Sequence, residues 1–192
     1  MTTDRIQILS ETILYKGWSQ LSKYIINYTR SDGKVENHVR EIYDSGDGAA
    51  VLLYNPEART IILIRQFRLP VLLNSNHDGF ILECPAGLLD AMHPKETIIK
   101  EIKEETGYNI SSVTKIYEAF ATPGAHKEKI HFFTAKYDAS MRVHSGGGDS
   151  GEQEDIEVLE YSYDDIKSLL IDGNIIDAKT IILLQWGMLH LS

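Results

Sequence analysis

Hydrophobic and polar positions change rhythm several times along this chain. SQLSKYIINYTR is rich in β-branched and aromatic residues. Ser31-Asp32-Gly33-Lys34 is a turn signal, and VENHVREIYDSG continues as a further strand. Ile6 to Tyr43 therefore reads as strands joined by turns, an antiparallel subdomain closing near Asp44-Ser45-Gly46-Asp47-Gly48. Ala49 to Tyr54 and Thr60 to Arg65, split by Asn55-Pro56-Glu57-Ala58, suit a hairpin. Phe80 to Cys84 is a short apolar strand running into Pro85-Ala86-Gly87. A helix begins near Pro94, whose missing N–H fits a first turn, and ends at Gly107, a natural C-terminal breaker. Val113 to Phe120, Ile130 to Lys136 and Ile156 to Tyr161 read as strands. Tyr163 to Ile171 and Ala178 to Leu191 read as helices, and His144 to Asp155 as a glycine-rich acidic loop too polar to pack. Alternating sheet and helix predicts a mixed α/β sandwich, with residues 1–45 forming an N-terminal β subdomain and 46–192 the main domain.

Composition narrows the function classes. The 192 residues, 43% hydrophobic and 24% charged, are an ordinary globular balance, long enough to bury a core unaided. A formal charge of −9 repels polyanions, so neither nucleic acid nor a membrane surface is an expected partner. A small anionic substrate is compatible with this charge if metal ions or a local basic cluster receive it. Cys84 is the only cysteine, so no intrachain disulfide can form. No signal-peptide layout or membrane-length apolar run is present, and a cytoplasmic location is expected.

The chemistry-bearing segment is PKETIIKEIKEETG, Pro94 to Gly107. Glu101, Glu104 and Glu105 stand at i, i+3 and i+4, which in an α-helix gathers three carboxylates on one face. Such a face is unfavourable unless a cation sits within it. Mg²⁺ selects hard oxygen ligands, and bound ions can activate water and neutralise a pyrophosphate. Ile98 and Ile102 form the apolar pair that docks the helix on a sheet. The alternative is a solvated glutamate-rich face supported by Lys100 and Lys103.

GLLDAMHPKETIIKEIKEETGY, Gly87 to Tyr108, resembles the Nudix box, a loop–helix–loop that presents glutamates to divalent metals. Lys100 to Tyr108 matches its second half, with Lys100 in place of the usual arginine. The first half departs: its loop is one residue short, and His93 stands where a glutamate belongs. Glu96, one turn before Lys100, is a substitute i,i+4 partner for it. The wider resemblance covers nearly the whole chain and points to the GDP-mannose pyrophosphatase branch, beside the ADP-ribose pyrophosphatases. It is carried by REIYDSGDGAAVLLYN, IILIRQFR, CPAGLLD, Thr122-Pro123-Gly124, HFFTA, GGG followed by EDIEVLE, and DAKTIILLQW.

The resemblance implies a Nudix-type α/β/α sandwich with an N-terminal antiparallel β subdomain, and a homodimer in which the N-terminal strands swap onto the partner. Packing of Ile6 to Tyr43 on its own chain stays open. The resemblance gives Mg²⁺, with Mn²⁺ as a substitute, to the carbonyl of Ala86 with Glu101, Glu105 and Glu154. Glu104 stands beside them, and Glu152 is the candidate general base on a loop able to close over substrate. This loop is two residues longer than in that branch, so the base assignment stays open between Glu152 and Glu154. Substrate contacts fall to Trp18, Arg40, Arg68, Gly87, Glu128 and Lys179, the arginines matching phosphate oxygens and Trp18 stacking on the base. Taken singly these are ordinary packing or surface residues. Arg65 is a lesser, structural option, and the histidines show no metal spacing.

The implied reaction is water attack on the diphosphate of a nucleoside diphosphate sugar, GDP-mannose giving GMP and mannose 1-phosphate. ADP-ribose cleavage is the enzymatic alternative. A Nudix-fold binding module without catalysis and a purely structural dimerisation protein are the alternatives from other classes.

Overall fold

The computed structural model describes residues 4–74, 77–89, 92–149, 151 and 154–191. The chain divides into two compact units: residues up to Asp47 with Phe120–Lys129, and Gly48–Ala119 with Ile130 onward.

The first unit is a three-stranded antiparallel meander of β1 (Ile6–Lys16), β2 (Gln20–Thr29) and β3 (Val35–Asp44). Gly33, at φ 83°, makes the turn before β3. The TPGAHKEK segment joins the free edge of β3: Tyr43 N–H donates to Ala125 O at 2.9 Å and Lys127 N–H to Tyr43 O at 2.9 Å. Lys127 also pairs with Asp44 at 2.6 Å. Within this unit β1 is exposed along its whole length, including Ile6, Ile8, Leu9, Ile13, Leu14 and Tyr15.

In the second unit β4 (Gly48–Asn55) and β5 (Thr60–Phe67) form the expected hairpin, but the two strands pair only near their turn, at Leu53↔Ile62 to Asn55↔Thr60. Beyond it they splay. The far end of β5 pairs with β6 (Phe80–Glu83), and the far end of β4 with β7 (Ala86–Leu88). Val51 N–H bonds Pro85 O at 3.0 Å where β6 passes into β7. On its other edge β4 runs parallel to β9 (Lys129–Lys136), which neighbours β8 (Thr114–Phe120). β10 (Glu157–Ser162) flanks β5.

The continuous apolar run of β4 follows from burial on both faces. Ala49, Val51 and Leu53 face one core with Ile98, Ile102 and Phe133. Ala50 and Leu52 face the other with Phe132, Ile166, Leu183 and Leu184. The first layer is α2 (Pro94–Glu101), the second α3 (Tyr163–Ile171) and α4 (Ala178–His190). This is the α/β/α sandwich expected from the sequence. A short α1 (Leu69–Asn74) and the strand β7 were not foreseen.

Two further readings need correction. The helix from Pro94 does not run as α-helix to Gly107: after Glu101 it widens into a π-turn over Ile102–Thr106. The glycine-rich loop also packs, through its backbone rather than its side chains. Gly147 N–H bonds Glu105 O at 2.9 Å, Gly148 N–H bonds Glu104 O at 3.2 Å, and Val143 N–H bonds Gly107 O at 2.8 Å. These donors satisfy carbonyls that a helix end leaves orphaned. Glycine permits the approach. Gly107 (φ 78°) and Gly146 (φ 75°) are left-handed, and a Cβ on either would strike the other segment's backbone.

Candidate active site

The site lies where β4 and β5 diverge. α2 begins with His93 as its N-cap, the ring Nδ1 accepting from Lys95 N–H at 3.3 Å, and with Pro94 in the first turn. His93, which replaces a glutamate of the box, thus caps the helix. Complete burial of Ile98 and Ile102 fixes the helix on the sheet, about 1.5–3 kcal/mol for each side chain.

The π-turn then separates the three glutamates. A wider turn rotates each residue less, so Glu104 moves round away from Glu101 while Glu105 stays alongside it. Glu104 accordingly meets Lys100, whose ammonium lies 2.6 Å away. Lys100, for which Glu96 was the expected i,i+4 partner, thus pairs with Glu104. Glu105 turns inward to 1% exposure and accepts from Ala86 N–H at 3.0 Å. The Glu101 carboxyl packs on the same strand, against Gly87, where any side chain would collide with it. Burial first, and then the charges of Glu101, Glu154 and Glu83, push the Glu105 carboxyl well above the ordinary range despite the Ala86 hydrogen bond.

Glu154 comes from the loop that caps this helix. Its carboxylate packs on Gly148 and accepts from Asp149 N–H at 2.9 Å. Glu152 lies outside the described residues.

Beside the carboxylates is a buried ion network. Glu83, the last residue of β6, is 1% exposed. It receives Arg68 Nε at 2.6 Å, Arg68 Nη2 at 3.1 Å and Lys179 Nζ at 2.8 Å. Lys179 also reaches Asp177 at 2.8 Å. Asp177 caps α4 through Thr180 N–H at 2.9 Å, and Thr180 Oγ1 accepts from Cys84 N–H at 2.7 Å. Burial disfavours the Glu83 carboxylate, but Arg68 and Lys179 outweigh it and hold the group below the usual carboxylate range. Arg68 and Lys179 are likewise held protonated against their own desolvation.

The structure thus brings Ala86, Gly87, Glu101, Glu105, Glu154, Arg68 and Lys179 into one unit and turns Glu104 toward Lys100. Trp18, Arg40 and Glu128 belong to the other unit. Trp18 is 77% exposed in the β1–β2 turn. Arg40 on β3 donates to Val39 O at 2.8 Å, and Glu128 lies 3.7 Å from His126. Arg65 pairs with Glu157 at 3.5 Å and Asp78 at 3.7 Å and covers the Phe80 ring, a structural set of contacts. Glu83 and Asp177 were not singled out from sequence. A charged residue inside the apolar FILEC strand, and Asp177 three residues before Thr180, were the available signals.

The donor set fits a hard divalent cation. Glu105 is a buried carboxylate crowded by three other acidic groups, and oxygen is the only ligand type that it and Glu101 present. Among the described residues no group of three or more His, Cys, Asp or Glu side chains is gathered at coordinating spacing. A pair of carboxylates with backbone oxygen and water is a normal shell for Mg²⁺, which keeps several waters.

Comparison with known proteins matches residues 5–43 to a domain described as the GDP-mannose pyrophosphatase NudK N-terminal domain, and residues 44–184 to the NUDIX domain. A GDP-mannose pyrophosphatase of Pectobacterium atrosepticum is 46% identical over 185 residues, spanning 96% of this chain and 95% of that protein. One from Klebsiella pneumoniae subsp. pneumoniae is 45% identical over 181 residues, spanning 94% and 90%. A third, from Yersinia enterocolitica, is 43% identical over 186 residues, spanning 97% and 96%. With its glutamate-bearing helix seated on the splayed hairpin and this match over most of its length, the chain belongs to the NUDIX domain family.

Proposed function

We infer that this protein hydrolyses the pyrophosphate bond of a nucleoside diphosphate sugar with Mg²⁺, and that GDP-mannose, cleaved to GMP and mannose 1-phosphate, is its substrate. The observation that carries the reading is the pairing of two opposite fields in one unit. Glu101 and Glu105 form an anionic face suited to metal, and Arg68 and Lys179 form a cationic face suited to phosphate. The choice of GDP-mannose rests on the relatives named above. ADP-ribose is the neighbouring alternative.

Ala86, Glu101, Glu105 and Glu154 would hold the metal, and Mn²⁺ would serve in its place. When bound, the ion supplies Lewis-acid charge to phosphate oxygens and lowers the pKa of water. The chain's own residues do the remaining work. Arg68 and Lys179 orient the diphosphate and stabilise the negative charge that grows on it during displacement. Gly87, whose missing side chain makes room for the Glu101 carboxyl, is a proposed substrate contact. Glu152, or Glu154 on the same loop, accepts the proton of the attacking water, and Glu104 is a supporting carboxylate. Trp18, Arg40 and Glu128 are proposed contacts for the base and sugar.

We also propose a cytoplasmic homodimer in which the 1–45 strands cross to the partner and the 46–192 domain carries the chemistry. The exposed apolar positions of β1 and a single buried thiol support this reading. The functional test is Glu105→Gln and Arg68→Ala assayed for release of GMP and mannose 1-phosphate. Loss of about 100-fold or more in kcat/KM for each, with folding retained, is expected. Full turnover in Glu105→Gln would refute the assignment.

A further inference from the structure

We infer that Glu83 is a positioning residue for this reaction: its one buried carboxylate sets the Arg68 guanidinium and the Lys179 ammonium side by side so that both address the same diphosphate. The inference rests on the reading that these two cations receive substrate.

Both cations bond the same atom. Glu83 Oε2 takes Arg68 Nη2 at 3.1 Å and Lys179 Nζ at 2.8 Å, while Oε1 takes Arg68 Nε at 2.6 Å. Two positive groups sharing one oxygen repel each other, and only the carboxylate between them makes that spacing favourable. The Nε–Nη2 edge of Arg68 is consumed by the pair, which leaves the opposite Nη1 edge for a phosphate oxygen. Lys179 is tied a second time, to Asp177, and Asp177 is fixed as the cap of α4. Glu83 is anchored by strand pairing, opposite Ile64 of β5. Each cation is therefore referred to a rigid element rather than to a loop.

Exposure runs outward along the network. The Glu83 side chain is 1% exposed, Lys179 22% and Arg68 40%, so the cations form the accessible end. A merely stabilising role accounts for this poorly, because buried ion pairs are often equalled by apolar residues of similar size. A carboxylate that pre-sets two phosphate ligands explains why a charge is kept inside the FILEC strand. The other charges acting on Arg68 are Glu105 and Asp177, and neither is hydrogen-bonded to it.

The test uses the full-length protein with Mg²⁺ and GDP-mannose, comparing wild type, Glu83→Gln, Glu83→Asp, Arg68→Ala and the Glu83→Gln/Arg68→Ala double variant. Activity is scored per folded molecule beside thermal unfolding. Glu83→Gln should lose about 10–100-fold in kcat/KM, the cost expected of displaced phosphate ligands. Glu83→Asp, which keeps the charge but falls one methylene short of bridging both cations, should lose less. Because Glu83 acts through Arg68 and Lys179, the double variant should fall clearly short of the product of the two single losses, the remaining loss being that of Lys179. Losses that multiply, or a lowered melting temperature with unchanged kcat/KM, would make Glu83 structural and overturn the proposal. Should Glu83→Gln not fold, Glu83→Asp with wild-type kcat/KM overturns it equally. A wild-type protein that cleaves no nucleotide sugar refutes the underlying functional reading instead.

Discussion

Glu105→Gln should stabilise the metal-free protein while destroying its activity. Glu105 is buried to 1% exposure and faces the charges of Glu101, Glu154 and Glu83, against a single hydrogen bond from Ala86 N–H at 3.0 Å. Glutamine keeps an oxygen for that N–H, so the substitution forfeits only the charge-assisted part of the bond, about 1 kcal/mol. It removes a desolvated and repelled charge, and replacing buried charge by neutral groups of similar volume gains about 1–4 kcal/mol where it is favourable. The expected net gain is up to about 3 kcal/mol, or up to roughly 6–12 °C in melting temperature for a chain of this size. Thermal unfolding in chelator should show the rise. Added Mg²⁺ should then raise the wild type more than the variant, because ligand binding to the folded state stabilises by mass action. A Glu105→Gln protein that melts lower than wild type in chelator would refute the argument. The Ala86 hydrogen bond, rather than the carboxylate repulsion, would then dominate the site.

Other expectations follow from the same geometry. Glu83 is held below its ordinary value near 4.5, so its contribution to stability is present above that pH and is lost as pH falls through its folded value. Melting curves from pH 6 to pH 3 should fall on the acid side for wild type and be flatter for Glu83→Gln. Gly146→Ala places a side chain at φ 75° against the backbone of Glu105 and Thr106. It should lose at least about 1–2 kcal/mol in denaturant unfolding and lower turnover by shifting the loop that carries Glu154. Charged replacements of Ile8 and Ile13, both exposed on β1, should convert the proposed dimer to monomer in sedimentation. A wild type that already sediments as monomer would contradict that reading.

Much of this molecule is legible in its sequence because its elements are locally determined. Turn chemistry at Gly33, the Pro94 and Gly107 boundaries and the two-faced apolar run of β4 each specify their own structure. The features that escaped are set by tertiary partners. β7 has three residues and exists because the splayed end of β4 needs a partner. The π-turn depends on how Ile98 and Ile102 seat in the core and on the loop that caps it, neither visible in an i, i+3, i+4 count. The glycine-rich loop looked unable to pack because its side chains are small or charged, yet its backbone N–H groups close the helix end. The placement of the candidate site was legible where a motif carried it, in Glu101 and Glu105 beside Ala86 and Gly87. It was hidden where a single charged residue, Glu83, lies in an apolar strand with partners 15 and 96 positions away.

The most direct test of the account is product release from a panel of GDP-mannose, ADP-ribose and other nucleotide sugars, measured with Mg²⁺ and with chelator. Mg²⁺-dependent formation of GMP and mannose 1-phosphate from GDP-mannose is expected, well above every other member of the panel and absent in chelator. Folded protein that leaves the whole panel intact with Mg²⁺ present, or that cleaves it equally in chelator, would contradict it.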